Sequence, residues 1–120
     1  MLTMLPIRDL AVIRSLNEQY GVSCGLGYQL LEGGRQTGCL LYNLTPEEGE
    51  ILALDAPDRL AAEGLLRAAM GSLLDAGISR VQFGEGLDHS LLEGLGFVQK
   101  GESLCPDIEK ILFSCSSCKK

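Results

Sequence analysis

The chain has 120 residues, 46% of them hydrophobic, which is enough to build one core in a single domain. Its formal net charge is −6, and Lys119-Lys120 is the only basic cluster. Nucleic acid is therefore not expected as a partner, because binding along phosphates needs a basic stripe. The apolar runs fall far short of the roughly 18 to 20 residues that cross a bilayer. No secretory signal pattern opens the chain, so we expect a cytoplasmic protein without a membrane partner.

The first half of the chain predicts a strand, a helix and a three-stranded meander. Residues 1–5 are apolar, and Pro6 can open a helix at its first turn. Apolar residues from Ile7 to Leu16 then recur at helical spacing, and Gly21 ends the pattern. The strands of the meander are predicted at 25–32, 35–44 and 50–56, with a hairpin turn at Gly33-Gly34 between the first two.

The second half predicts a long helix, a strand and a short helix, followed by a closing pair of strands. One face of residues 58–76 is apolar, and Gly77 follows as the stop signal. A helix between the strands 50–56 and 79–84 favours a crossover that makes them parallel. Asp88 is a candidate cap for the helix 88–95. The closing antiparallel strands are predicted at 97–102 and 108–114. A single domain, 1–114, and a flexible tail at residues 115–120 are also predicted.

This order of elements, ending in Leu95-Gly96-Phe97, resembles the acyl-CoA-binding half of the GNAT superfamily, the Gcn5-related N-acyltransferases. The resemblance implies an α/β fold: a mixed, mostly antiparallel sheet with a parallel, splayed central strand pair, flanked by helices. Family members usually carry two helices between the first and second strands. Only one fits here, and that region helps to wall the acceptor site in the family.

The resemblance also implies acetyl-CoA as the acyl-donor cosubstrate. The family holds the diphosphate on a loop entering a helix, usually Gln/Arg-x-x-Gly-x-Gly/Ala, where backbone N–H groups face the anion. One register places Leu60 and Ala62 at the small positions, and another uses Arg59-x-x-Ala62-x-Gly64. The alternative is that residues 58–64 are only a well-started helix. With the splayed strand, the candidate cofactor-binding residues are Leu52, Leu54, Asp55, Arg59, Leu60, Ala62 and Gly64.

For catalysis, the family commonly takes a proton from the amine with a carboxylate and returns one to the CoA thiolate from a tyrosine. Glu50 and Glu48 are the nearest carboxylates to the first position, although glutamates at a turn are often only solvated. The tyrosine position holds Leu92, which has no hydroxyl group. His89, one helical turn earlier, is an alternative proton donor or a surface residue.

The five cysteines predict no metal site. Cys24, Cys39 and Cys105 lie in apolar surroundings and are expected to be buried thiols in a reducing compartment. Cys115 and Cys118 have the spacing of half a zinc site or of a redox pair, but a structural zinc site needs four ligands.

Two functions remain open on the sequence. The first is an N-acyltransferase that moves an acetyl or longer acyl group from acyl-CoA to an unknown amine acceptor. The second is a non-catalytic module of the same fold, with a degraded CoA site, that binds a ligand or another protein, because a fold alone does not fix a function. A homodimer is also left open. The missing tyrosine favours the second function, and the Arg59-x-x-Ala62-x-Gly64 match keeps the first.

Overall fold

The computed structural model describes residues 2–113, which form one six-stranded sheet in which the strands lie in chain order. The strands are β1 (Leu2–Pro6), β2 (Leu26–Glu32), β3 (Arg35–Leu44), β4 (Gly49–Asp55), β5 (Val81–Phe83) and β6 (Leu104–Cys105). The helices are α1 (Leu10–Tyr20), α2 (Arg59–Asp75), α3 (His89–Leu95) and α4 (Ile108–Phe113).

The predicted meander is confirmed. Gly33 and Gly34 join β2 to β3 with φ angles of 60° and 85°, which a residue with a Cβ rarely adopts. This two-residue turn fixes the register of the hairpin, so that Glu32 lies opposite Arg35.

The central strand pair is parallel, as predicted. Strand β4 runs beside β5 with Gly49 opposite Val81 and Ile51 opposite Phe83, and the 17-residue helix α2 makes the crossover. All other neighbouring strands of the described sheet pair antiparallel. The α/β fold with a mixed, mostly antiparallel sheet flanked by helices is therefore confirmed.

Each face of the sheet has its own apolar cluster. Helix α1 covers one face through Ile13 and Leu16, which pack with Cys39 and Leu41. Helices α2, α3 and α4 contribute to a larger cluster on the other face. The apolar side of α2 supplies most of its helical members: Ala61, Leu65, Leu66, Ala69, Met70 and Leu73. No helix among the described residues is long and apolar enough to span a bilayer.

The predicted start of α1 is wrong by one turn. Pro6 ends β1, and the helix begins only at Leu10 because the Asp9 carboxylate accepts a hydrogen bond from the Ala11 N–H at 2.9 Å. The cap predicted for α3 is confirmed, since the Asp88 carboxylate accepts from the Leu91 N–H at 3.2 Å.

The predicted closing pair of strands is also wrong. Residues 97–102 contain no strand, and the edge strand is the two-residue β6, which pairs with β5. Residues 108–113 form α4 because Pro106 breaks the extended chain and the Asp107 carboxylate accepts from the Lys110 N–H at 3.2 Å. The same apolar residues then pack at helical spacing against the larger cluster: Ile108, Ile111 and Leu112.

Candidate functional site

A β-bulge lies in the middle of β4. Tyr42 of β3 pairs with Ile51 and Leu41 pairs with Ala53, so Leu52 is an extra residue. Leu52 and Ala53 consequently pack in the same cluster under α1, whereas Ile51 packs on the opposite face. The bulge thus changes which backbone and side-chain groups β4 presents beyond Ile51.

Strands β4 and β5 part just after the bulge. Their ladder ends at Ile51 and Phe83, followed by one hydrogen bond of 2.8 Å from the Gly84 N–H to the Ile51 carbonyl. From there to Asp55, β4 pairs only with β3. The edge of residues 52–55 that would face a neighbouring strand therefore borders an open cleft.

Two cavities open from this cleft and share Leu54. The α1-side cavity has a volume of about 390 Å³, and the α2-side cavity has a volume of about 270 Å³. The α1-side cavity is lined by Tyr20, Gly21, Val22, Leu52, Ala53, Leu54, Gly84, Glu85 and Gly86. The α2-side cavity is lined by Leu54, Asp55, Ala56, Asp58, Arg59, Ala62, Asp88 and Leu91.

A hydrogen-bonded pair stands between the two cavities. The Tyr20 hydroxyl donates to Asp55 Oδ2 at 2.5 Å, which ties the end of α1 to the end of β4. Burial, followed by the bond to Asp55, raises the pKa of Tyr20, so the hydroxyl keeps its proton at neutral pH. Tyr20 could not be identified from the sequence, because it lies 35 positions from Asp55 and no motif joins the two residues.

The α2-side cavity borders the first turns of two helices that aspartates already cap. The Asp58 carboxylate accepts from the Ala61 N–H at 2.8 Å, and Asp88 caps α3 in the same way. Arg59 lies beside them, but its Nη2 donates to the Gly94 carbonyl at 2.8 Å. Three carboxylates and one guanidinium therefore line this cavity.

The structure brings five of the seven candidate cofactor-binding residues to the cleft. Leu52, Leu54, Asp55, Arg59 and Ala62 line one or both cavities. Leu60 is 80% exposed and lines neither of the two. Gly64 faces β1, where an added Cβ would come within 2.6 Å of Met4 Cε. Residues 59–64 are helical throughout, so the match to the motif lies in the first turns of α2 and not in a loop.

The two candidate catalytic glutamates have different surroundings. Glu50 is half-buried in β4 between Asn43 of β3 and Gln82 of β5. It lies two residues before the bulge, and neither described salt bridge involves it. Glu48 precedes β4 at the end away from the cleft, and its carboxylate pairs with the Arg80 guanidinium at 3.8 Å.

Helix α3 offers no proton donor to the cleft at the position where the resemblance implies a tyrosine. Leu92 is fully buried in the larger cluster, and its neighbour Leu91 lines the α2-side cavity instead. His89 Nε2 lies 3.1 Å from the Gly84 carbonyl, so it links the start of α3 to the end of β5.

Among residues 2–113, no group of three or more His, Cys, Asp and Glu side chains is placed to hold a metal ion. The Cys115 and Cys118 pair and the proposed tail lie outside the described residues.

Cys24 is a buried thiol, and we expect it to make stability fall at alkaline pH. Burial, with the Glu50 charge second, raises the pKa of the Cys24 thiol from 9.0 to about 11. The unfolded chain therefore loses this proton first, so stability is full below about pH 9 and falls towards about pH 11. Between about pH 9 and pH 11, the free energy of unfolding of Cys24→Ala is expected to fall by about 2 kcal/mol less than that of the wild type. Urea unfolding across the range measures this, and parallel stability curves for the two proteins would contradict it.

Comparisons with known proteins find this fold in solved structures. No protein-family model and no curated protein sequence matches the chain significantly. Solved structures do match it. An IAA acetyltransferase from Bacillus cereus is 24% identical with a TM-score of 0.62, covering 82% of this chain and 77% of its own.

Two further structures match at lower identity. An acetyltransferase of the GNAT family from Streptococcus pneumoniae is 17% identical with a TM-score of 0.58, covering 82% of this chain and 88% of its own. A predicted acetyltransferase from Clostridium acetobutylicum, solved with acetyl-CoA, is 12% identical with a TM-score of 0.61, covering 85% and 93%. This chain therefore has the fold of the GNAT N-acetyltransferases, and the resemblance expected from its sequence is confirmed at the level of the fold.

Proposed function

We propose that this protein is an N-acyltransferase that moves an acetyl or longer acyl group from an acyl-CoA thioester to an amine. The observation that carries the proposal is the cleft where β4 and β5 part, next to the bulge at Leu52. The fold is that of N-acetyltransferases, and a predicted acetyltransferase with this fold was solved with acetyl-CoA, which supports a CoA-type donor.

The donor would thread the cleft with its pantetheine arm along residues 52–55. That arm carries amide groups, which can pair with the edge of β4 in place of a neighbouring strand. In this pose the nucleotide end lies in the α2-side cavity, and the acyl group emerges in the α1-side cavity. The side chains of Leu52, Ala53 and Leu54 give that passage apolar walls.

The acceptor would then reach the acyl group from the α1 side. Glu85 lines that cavity, and Asp55 stands at its edge with Tyr20. These carboxylates favour an amine that arrives as an ammonium ion. The acceptor proposed here is therefore a cationic amine, either free or on a larger molecule.

The chemistry removes two protons from the ammonium nitrogen and exchanges one bond at the acyl carbon. Glu50 takes a proton from the ammonium, directly or through water, and the free amine attacks the thioester carbonyl. The carbon–nitrogen bond forms as the carbon–sulfur bond breaks. After the attack a second proton leaves the nitrogen for solvent, and the amide keeps the third. The leaving thiolate needs no tyrosine because a thiol has a pKa of about 8.5.

The direct test is release of free thiol from acetyl-CoA over a panel of primary amines, with the acetylated amine identified by mass spectrometry. We expect thiol release above the buffer rate with at least one cationic amine and one acetyl group on that product. CoA binding without acyl transfer to any amine would contradict the proposed acyltransferase activity and favour a non-catalytic ligand-binding module.

We also propose a cellular compartment and an oligomeric state for the protein. Cys24, Cys39 and Cys105 are free thiols, which supports a reducing compartment such as the cytoplasm. A homodimer stays a prediction, and sedimentation analysis would test it.

A further inference from the structure

The first turn of α2 leaves little for a diphosphate to bind. The start of a helix normally offers unpaired N–H groups and a positive end to an anion. Here the Asp58 carboxylate already accepts from the Ala61 N–H at 2.8 Å, and the Ala62 N–H donates to the Asp58 carbonyl at 3.0 Å. A negative charge of the protein therefore occupies the place where a phosphate would sit.

The other charges around the cavity add to this effect. Asp55 and Asp88 line it with Asp58, and Arg59 is the only cation among the lining residues. The Arg59 guanidinium is also engaged, because it donates to the Gly94 carbonyl at the far end of α3. A diphosphate would bring at least two negative charges close to three carboxylates, and this repulsion offsets what the N–H groups contribute.

The cleft itself carries no such penalty. Its walls are the backbone edge of β4 and the apolar side chains of Leu52, Ala53 and Leu54. A neutral chain of amides and methylenes can pair with that edge and bury its apolar atoms there.

We propose that Asp58 is a specificity-determining residue: its negative charge prevents the site from preferring donors that carry a diphosphate. The donor is then recognised by its pantetheine arm, and acyl-pantetheine thioesters without a nucleotide are taken about as well as acyl-CoA. This inference rests on the proposed function, since it concerns the donor of the same reaction.

The test compares CoA with pantetheine by calorimetry in three single variants of the full chain. Asp58→Asn keeps a capping side chain and removes the charge, and Asp58→Gly also frees the Ala61 N–H at little cost to the helix. Asp75→Asn is the matched control, because Asp75 is an exposed aspartate at the other end of α2.

In the wild type we expect the two affinities to agree within about threefold. Asp58→Asn should tighten CoA binding about tenfold, the scale of removing one charge repulsion near the protein surface, and leave pantetheine unchanged. Asp58→Gly, which also frees the Ala61 N–H, should tighten CoA binding further. Asp75→Asn should leave the ratio at its wild-type value. The ratio of kcat/KM for acetyl-CoA and acetyl-pantetheine should shift in the same way.

Two results would overturn the inference, and only the second would also overturn the proposed function. Wild-type protein that binds CoA more than about tenfold tighter than pantetheine, with no gain in the Asp58 variants, refutes the role of Asp58 and leaves the acyltransferase standing. Protein that binds neither compound refutes the donor cleft and the proposed function together.

Discussion

Replacing Phe97 by alanine is expected to lower the free energy of unfolding by about 3–5 kcal/mol, because the ring leaves a cavity behind. Phe97 is 1% exposed and lies in the larger cluster. Gly96, with φ of 84°, ends α3 and turns the chain so that the Phe97 N–H donates to the Leu92 carbonyl at 3.0 Å. The Leu95-Gly96-Phe97 sequence is thus a helix stop that drives an aromatic ring into the core.

Urea unfolding followed by circular dichroism measures the change, which is a large share of the roughly 5–15 kcal/mol of a typical domain. Leu60→Ala is the control, because that side chain is 80% exposed and its loss should change stability by less than about 0.5 kcal/mol. A loss below about 1 kcal/mol in Phe97→Ala would place the ring outside the core.

Replacing Glu50 by glutamine is expected to lower kcat/KM for acyl transfer about 100-fold, the scale of a lost general base. Glu50 is on the face of β4 opposite its neighbour Ile51, which packs in the larger cluster, and it lies two residues before the bulge. Two strand residues span about 7 Å, a distance that a glutamate side chain and one water can bridge.

Glu48→Gln is the matched control, because its carboxylate pairs with Arg80 away from the cleft. We expect it to change kcat/KM less than about threefold, since an exposed ion pair contributes little. Thiol release, with donor binding measured separately, distinguishes lost chemistry from lost affinity. Equal activities of Glu50→Gln and the wild type would remove Glu50 from the mechanism.

Much of the fold could be predicted because its signals are local. Apolar residues at helical spacing between Ala61 and Leu73 predicted α2, and a helix between two short apolar strands predicted the parallel pair. The glycine pair at 33–34 predicted the hairpin. These features depend on neighbours in sequence, so a single chain displays them.

The end of the domain could not be read in this way. The segment 108–113 has only six residues. Its apolar side chains, among them those at 108, 111 and 112, fit a short helix or a short strand about equally well. The sequence did contain one signal for a helix, Asp107, whose carboxylate caps α4 by accepting a hydrogen bond from the Lys110 N–H.

The candidate site was predicted in outline only. The splayed strand was implied by the resemblance to the GNAT superfamily, but a bulge such as the one at Leu52 leaves no mark in a single sequence. The contact of Tyr20 with Asp55 joins distant residues, and the capping of α2 by Asp58 turned an expected anion site into an acidic cavity. Long-range contacts and side-chain directions therefore decided what the motif match could not.

The most direct test of the central claim, that the cleft between β4 and β5 binds the thioester donor, is an amide chemical-shift titration of isotope-labelled protein with CoA and with pantetheine. We expect the largest shifts for both compounds at residues 52–55 and 84–86, which line the cleft. Shifts confined to another surface, or none at millimolar ligand, would contradict the account.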